Sequence, residues 1–185
     1  FVSGQPETGV ELAEDLERIC TNFGAENIAA CIVEPIAGST GTLVPPKGYL
    51  QKLRETCDKH GILLIFDEVI TGWGRTGSSF ASIEYGVTPD IMTMAKATTN
   101  GVVPMGVVAC KDEIYDSVMD ASPMGSVELF HGYTYSGIPV AVAAALAVQD
   151  IFEKEDIFNR AKNLAPYFQK GLFSLQDLES VENIR

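Results

Sequence analysis

The sequence predicts an α/β fold built on a mostly parallel sheet, and two observations carry that expectation. Short apolar runs without a polar face recur at 28–33, 62–66 and 91–95, with a further strand expected over 105–110. Strands covered on both sides by helices read this way. Segments with helical spacing alternate with them, at 9–23 and 49–60, and two more follow at 140–152 and 155–173.

Each element has its own signal. Residues 9–23 set Val10, Leu12, Leu16, Ile19 and Phe23 among acidic residues, an amphipathic surface helix. The run 28–33 reads as a buried strand that stops at Glu34-Pro35, and a loop rich in glycine and proline follows over 38–48. Residues 49–60 place Leu50, Leu53 and Cys57 on one helical face, and Gly61 stands where a C-cap glycine falls. The second run, 62–66, ends at Asp67-Glu68 and opens into a glycine-rich stretch, 72–77. Pro89-Asp90 introduces the third run, which ends at Lys96. A loop of Thr, Asn, Gly and Pro then leads to the fourth strand. Ser136 to Pro139 reads as a helix start with Pro139 in the first turn. The Ala- and Val-rich 140–152 is expected to be a mostly buried helix, and 155–173 an amphipathic one. No repeat or low-complexity tract interrupts the pattern.

Composition narrows the function classes. A chain of 185 residues supports one or at most two domains with a core. Its net charge of −12, from 13 basic and 25 acidic residues, leaves nothing to neutralise a phosphate backbone, so no nucleic-acid partner is expected. It argues equally against an anionic membrane surface, and no apolar run approaches the ~20 residues that span a bilayer. Cys20, Cys31, Cys57 and Cys110 form no C-x-x-C pair, and the histidines are only His60 and His131, so no metal site is expected. Scattered cysteines fit a reducing compartment, and a cytoplasmic location is expected. Phe1 does not look like a native start, so the absent signal peptide excludes no targeting segment upstream.

In a parallel sheet, functional groups gather beyond the carboxyl ends of the strands. Three of these strands end in Glu34, Asp67 and Lys96, so two carboxylates and a lysine converge on one rim. A lysine there can be a structural ion-pair partner or a solvated loop residue. A nucleotide site is a second reading, but the chain carries no G-x-x-x-x-G-K-[ST] and no G-x-G-x-x-G after a strand, and 72–77 is only superficially similar. A third reading is a Schiff-base lysine. That chemistry needs a partly desolvated amine. It also needs a carboxylate facing the pyridine nitrogen of the cofactor, to keep the ring protonated as an electron acceptor. Asp67 is placed for that carboxylate and Val69 for a contact with one ring face.

Several blocks carry a family resemblance: Val33-Glu34-Pro35-Ile36-Ala37-Gly38-Ser39, Phe66-Asp67-Glu68-Val69-Ile70-Thr71-Gly72, Gly74-Arg75-Thr76-Gly77, Thr88-Pro89-Asp90, Ala95-Lys96, Thr99-Asn100-Gly101, Pro104-Met105-Gly106 and His131-Gly132-Tyr133-Thr134-Tyr135-Ser136. In order and spacing they resemble the class III aminotransferases, in particular the ω-amino acid:pyruvate (β-alanine:pyruvate) branch. The likeness runs from about residue 10 to the end. It implies the large domain of the fold type I pyridoxal-phosphate enzymes: a central part over 1–173, with 174–185 starting the connection to a C-terminal small domain.

The resemblance also implies roles. Lys96 would hold pyridoxal 5'-phosphate as a Schiff base and catalyse the 1,3-proton shift. Asp67 would pair with the pyridine nitrogen and Val69 would pack on the ring. Glu34 would lie on the substrate side. Thr134 would reach the cofactor phosphate of a neighbouring subunit, which implies a homodimer or higher oligomer. Glu34 and Thr134 have plainer alternatives, loop closure and capping of the following helix. Two positions depart from relatives. Ile70 stands where several carry Gln, and Ile138 stands where a histidine precedes the helix-start proline.

The activity implied is transfer of an amino group from an ω-amino acid or amine to a keto acid, pyruvate. Alternatives on the same scaffold are a 2,1-aminomutase or a decarboxylase, and from another class a structural or dimerising piece without chemistry. Members of the family run to more than twice this length. The chain is therefore expected to lack the upstream phosphate cup and the downstream small domain.

Overall fold

The structure, a computed structural model, describes residues 4–124, 129, 131, 133–182, 184 and 185. A four-stranded sheet organises it, in the order β1 (Ala30–Val33), β2 (Leu63–Asp67), β3 (Ile91–Met94) and β4 (Val107–Cys110). The first three strands are parallel, with Ile32 beside Ile65 and Ile65 beside Ile91. β4 turns back antiparallel to β3, with Met94 opposite Val107. The reason lies in the connection. Asn100 (φ 54°) and Gly101 (φ 79°) both take left-handed conformations, and the Val102 N–H donates to the Thr99 carbonyl at 3.2 Å. Asn-Gly is the favoured pair for such a reversing turn.

Two helices, α1 (Glu14–Phe23) and α2 (Tyr49–His60), form a layer with β1 and β2. The segment expected as one helix over 9–23 begins as a 3-10 turn, Val10–Ala13, before α1. α2 ends as expected at Gly61, which is left-handed (φ 68°) and donates its N–H to the Cys57 carbonyl. The core joins Leu16 and Cys20 of α1, Leu50, Leu53 and Cys57 of α2, and Leu64 and Phe66 of β2. Leu64 and Phe66 are fully buried; removing each from water contributes roughly 1.5–3 kcal/mol. Alternation along the strand turns Leu63, Ile65 and Asp67 to the opposite face.

Asp90 locks the entry to β3. Its N–H donates to the Leu64 carbonyl, and its Oδ2 accepts from the Leu64 N–H and from Arg54 Nη1, each of these two at 2.7 Å. Lys111, just past β4, brings Nζ to Oδ1 at 2.7 Å. Burial alone would raise the Asp90 pKa. Lys111, the Leu64 N–H and Arg54 outweigh it and hold the carboxyl below its ordinary value.

Some expectations need correction. β1 is not covered on both faces: it ends the sheet, and Ile32 is 63% exposed. α5 (Pro139–Lys154) begins with Pro139 in its first turn, as expected, yet it buries only Ala141, Val148 and Phe152 and leaves Leu146 open. α6 (Ile157–Phe173) packs against α5 and carries Pro166 in its interior. Two helices lack a counterpart in the expectations, the short α3 (Ala81–Glu84) and α4 (Asp112–Ala121). Among the described residues no helix is long and apolar enough to cross a membrane.

Candidate active site

Because β1, β2 and β3 are parallel neighbours, their carboxyl ends form one rim. Val33 pairs with Phe66 and Asp67 with Thr93, so Glu34, Asp67 and the segment leaving β3 lie side by side. Lys96 opens a tight turn (Lys96–Thr98) two residues beyond β3. It is exposed, more open to solvent than the partly desolvated amine the chemistry asks for, and among the described residues its amine makes no ion pair. Its backbone is left-handed (φ 48°), which costs a residue other than glycine roughly 1–2 kcal/mol. Strain of this kind gathers where function requires it.

Asp67 and Glu68 are adjacent in sequence and differ in every other respect. The Glu68 side chain is 0% exposed and turned inward. It accepts bonds from Thr71 Oγ1 (2.7 Å), the Ala81 N–H (2.8 Å) and the Ser82 N–H (2.7 Å), which fix the start of α3. Asp67 is half-buried at the rim and, among the described residues, has one side-chain bond, from the Val69 N–H to Oδ1 at 3.0 Å. That bond sets the carboxylate and leaves Oδ2 open. Val69 is thereby tied to Asp67 through its backbone, with its side chain half-buried beside the rim.

Glu34 makes the loop-closing bond of its plainer alternative. Its Oε2 accepts from the Gly38 N–H at 3.0 Å. Ile70 packs on this loop so closely that a Cβ on Gly38 would lie 2.8 Å from Ile70 Cδ1. Ile70 is therefore wedged against the Glu34 loop, and Arg75 Nη1 caps its carbonyl at 2.7 Å.

Thr134 lies elsewhere. It is exposed and lines a cavity of about 610 Å³ with Met105, Gly106, Ser136 and Ala141; Glu34, Asp67 and Lys96 are not among the walls. It does not cap α5, whose N-cap is Ile138 with no side-chain cap bond. Gly132, from the same sequence block, lies outside the described residues.

The sequence pattern left the 72–77 stretch without a site role, and the structure gives it one contact with the rim. Trp73 Nε1 donates to Thr98 Oγ1 at 3.0 Å, within the Lys96 turn. Only the proximity of a tryptophan to a glycine cluster was visible beforehand, and nothing in the spacing pointed to Thr98.

An amine and two carboxylates thus follow the carboxyl ends of the parallel strands. The family profile Aminotransferase class-III matches residues 4–185. The chain belongs to the class III aminotransferases. It is 56% identical to the omega-aminotransferase of Caulobacter vibrioides, over 98% of this chain and 41% of that protein. It is 54% identical to the beta-alanine–pyruvate aminotransferase of Pseudomonas aeruginosa, over 100% of this chain and 42% of the relative. The chain thus spans about two fifths of the length of these relatives. Among solved structures, the (S)-enantioselective omega-transaminase of Thermomicrobium roseum superposes with a TM-score of 0.88 at 43% identity, over 95% of this chain and 38% of that one. A PLP-bound amine transaminase from an uncultivated Pseudomonas species gives 0.82 at 44% identity, over 88% and 36%.

Proposed function

We propose that the protein is a pyridoxal-phosphate-dependent aminotransferase that moves an amino group from an ω-amino acid or amine to pyruvate. The observation that carries this reading is Lys96, without an ion pair among the described residues, in a strained turn just past β3, whose Thr93 pairs with Asp67 on the carboxyl rim. The donor set fits the cofactor. An amine without an ion-pair partner is available for covalent attachment, and a carboxylate with one oxygen fixed and the other open is available for a ring nitrogen. The names of the relatives that share half or more of the sequence support the substrate class.

When bound, the cofactor supplies an acceptor for the electrons released at the substrate carbon that bears the amine. Lys96 Nζ holds the cofactor and moves the proton at that carbon. Asp67 would keep a proton on the pyridine nitrogen, and Val69 would pack against the ring. Glu34 lies on the substrate side, where the Gly38 bond restrains its carboxylate. Thr134 binds the phosphate of a neighbouring subunit's cofactor, so the working unit is a homodimer or higher oligomer.

The acceptor is the direct test. With the holoenzyme and β-alanine as donor, kcat/KM for pyruvate should exceed that for 2-oxoglutarate. A clear preference for 2-oxoglutarate would contradict the substrate assignment.

A further inference from the structure

Trp73 is the only tryptophan of the chain, and the proposed reaction leaves it without a task. Its orientation is fixed from several sides. Its backbone is left-handed (φ 62°), and its N–H donates to the Ser79 carbonyl at 2.6 Å. Its ring lies tilted on Phe80, with centroids 4.9 Å apart, and stacked on Phe152 of α5 at 6.1 Å. Phe152 in turn meets Phe158 of α6 at 5.3 Å, and α6 crowds the glycine-rich stretch: a Cβ on Gly74 would lie 2.8 Å from Phe158. An indole held this way offers its one N–H in one direction.

That N–H meets the Thr98 hydroxyl. Thr98 is 3% exposed, so water does not compete for the bond. The same hydroxyl donates to the Ala95 carbonyl at 3.0 Å, as does the Thr98 N–H. Ala95 precedes Lys96, and Thr98 ends the turn that Lys96 begins. The bonds therefore tie both sides of the residue whose φ of 48° is unfavourable for any side chain. Without them, the backbone relaxes toward the right-handed or extended regions and carries the amine away from its place at the rim. A phenylalanine at 73 would fill the aromatic cluster equally well but could not make the directional bond.

We propose that Trp73, acting through Thr98, is a positioning residue for Lys96. The indole N–H and the threonine hydroxyl form a clasp that holds the lysine turn left-handed, so that the amine reaches the cofactor and the substrate carbon in one geometry. The inference rests on the assignment of Lys96 as the lysine that carries the cofactor.

The test compares the holoenzyme with Trp73→Phe, Thr98→Val, the double variant and Thr98→Ser. For each, one measures kcat, KM, melting temperature and the pH midpoint of the visible band of the bound cofactor. Trp73→Phe should lower kcat about tenfold, the scale of a misplaced catalytic group, with KM unchanged and the pH midpoint displaced. The double variant should be no worse than Thr98→Val, because the two residues act as one unit. Thr98→Ser, which keeps the hydroxyl, should restore both kcat and the midpoint. A Trp73→Phe enzyme with a lowered melting temperature but wild-type kcat and midpoint would overturn the clasp and leave Trp73 a packing residue. Borohydride reduction of the wild type separates the two levels. Label on a lysine other than Lys96 overturns the underlying assignment, whereas label on Lys96 with an unaltered Trp73→Phe enzyme overturns the clasp alone.

Discussion

Asp67 and Glu68 show how one residue step divides structure from function. Strand alternation points Glu68 into the protein, where three donors saturate it, and leaves Asp67 at the rim with an open oxygen. Of the two, only Asp67 keeps an oxygen without a bond among the described residues, as the role proposed for it requires. A carboxylate beside that nitrogen holds its proton, and an amide does so poorly. Asp67→Asn in the holoenzyme should therefore slow removal of the substrate proton by orders of magnitude, while the cofactor still attaches. Single-turnover kinetics read this directly. A loss smaller than about tenfold, ~1.4 kcal/mol in the barrier, would count against the role. Glu34 was legible as a carboxylate at a strand end, with loop closure as one alternative, but its partner in that loop, the Gly38 N–H, was not, because a side chain's bond to a backbone N–H four residues on leaves no compositional mark.

Among elements, the strands were legible and the turns less so. β2 and β3 announce themselves as short apolar runs that end in charged residues. β4 was legible as a strand but not in direction, although Asn100-Gly101 is itself a hairpin signal. α4 places Ile114, Tyr115, Val118 and Met119 at helical spacing but buries none of its residues, and the sequence reading assigned the segment no element. α5 is apolar nearly all round, which suits a buried helix; the composition could not tell which of its faces the rest of the chain covers. Asp90 joins α2, β2 and the end of β4, and its effect belongs to this scale. Asp90→Asn removes the charge that Arg54 and Lys111 share and should cost about 2–3 kcal/mol, less than a fully buried pair because Lys111 is 43% exposed. Urea unfolding measures that loss. The folded pKa lies below the ordinary 3.8, so the Asp90 contribution is fully present above pH 3.8 and is lost as pH falls toward the folded value. Acid unfolding of the Asn variant should accordingly show a weaker pH dependence in that window.

For the molecule as a whole, the sheet topology separates Lys96 from the other lysines. Lys47, Lys52, Lys59, Lys111 and Lys154 each pair with a carboxylate. Lys96, Lys162 and Lys170 make no ion pair among the described residues, and the last two lie on α6. Lys96 alone among these three follows a strand of the parallel sheet, two residues beyond the end of β3, whose Thr93 pairs with Asp67. The proposed cofactor role of the chain therefore rests on this residue. The measurement that bears on it most directly is reduction of the holoenzyme with borohydride, followed by digestion and mass spectrometry of the pyridoxyl-lysine peptide. The expected result is modification at Lys96, with the visible band of the bound cofactor absent from Lys96→Ala. Modification mainly at another lysine, or a Lys96→Ala enzyme that keeps the band, would contradict the assignment.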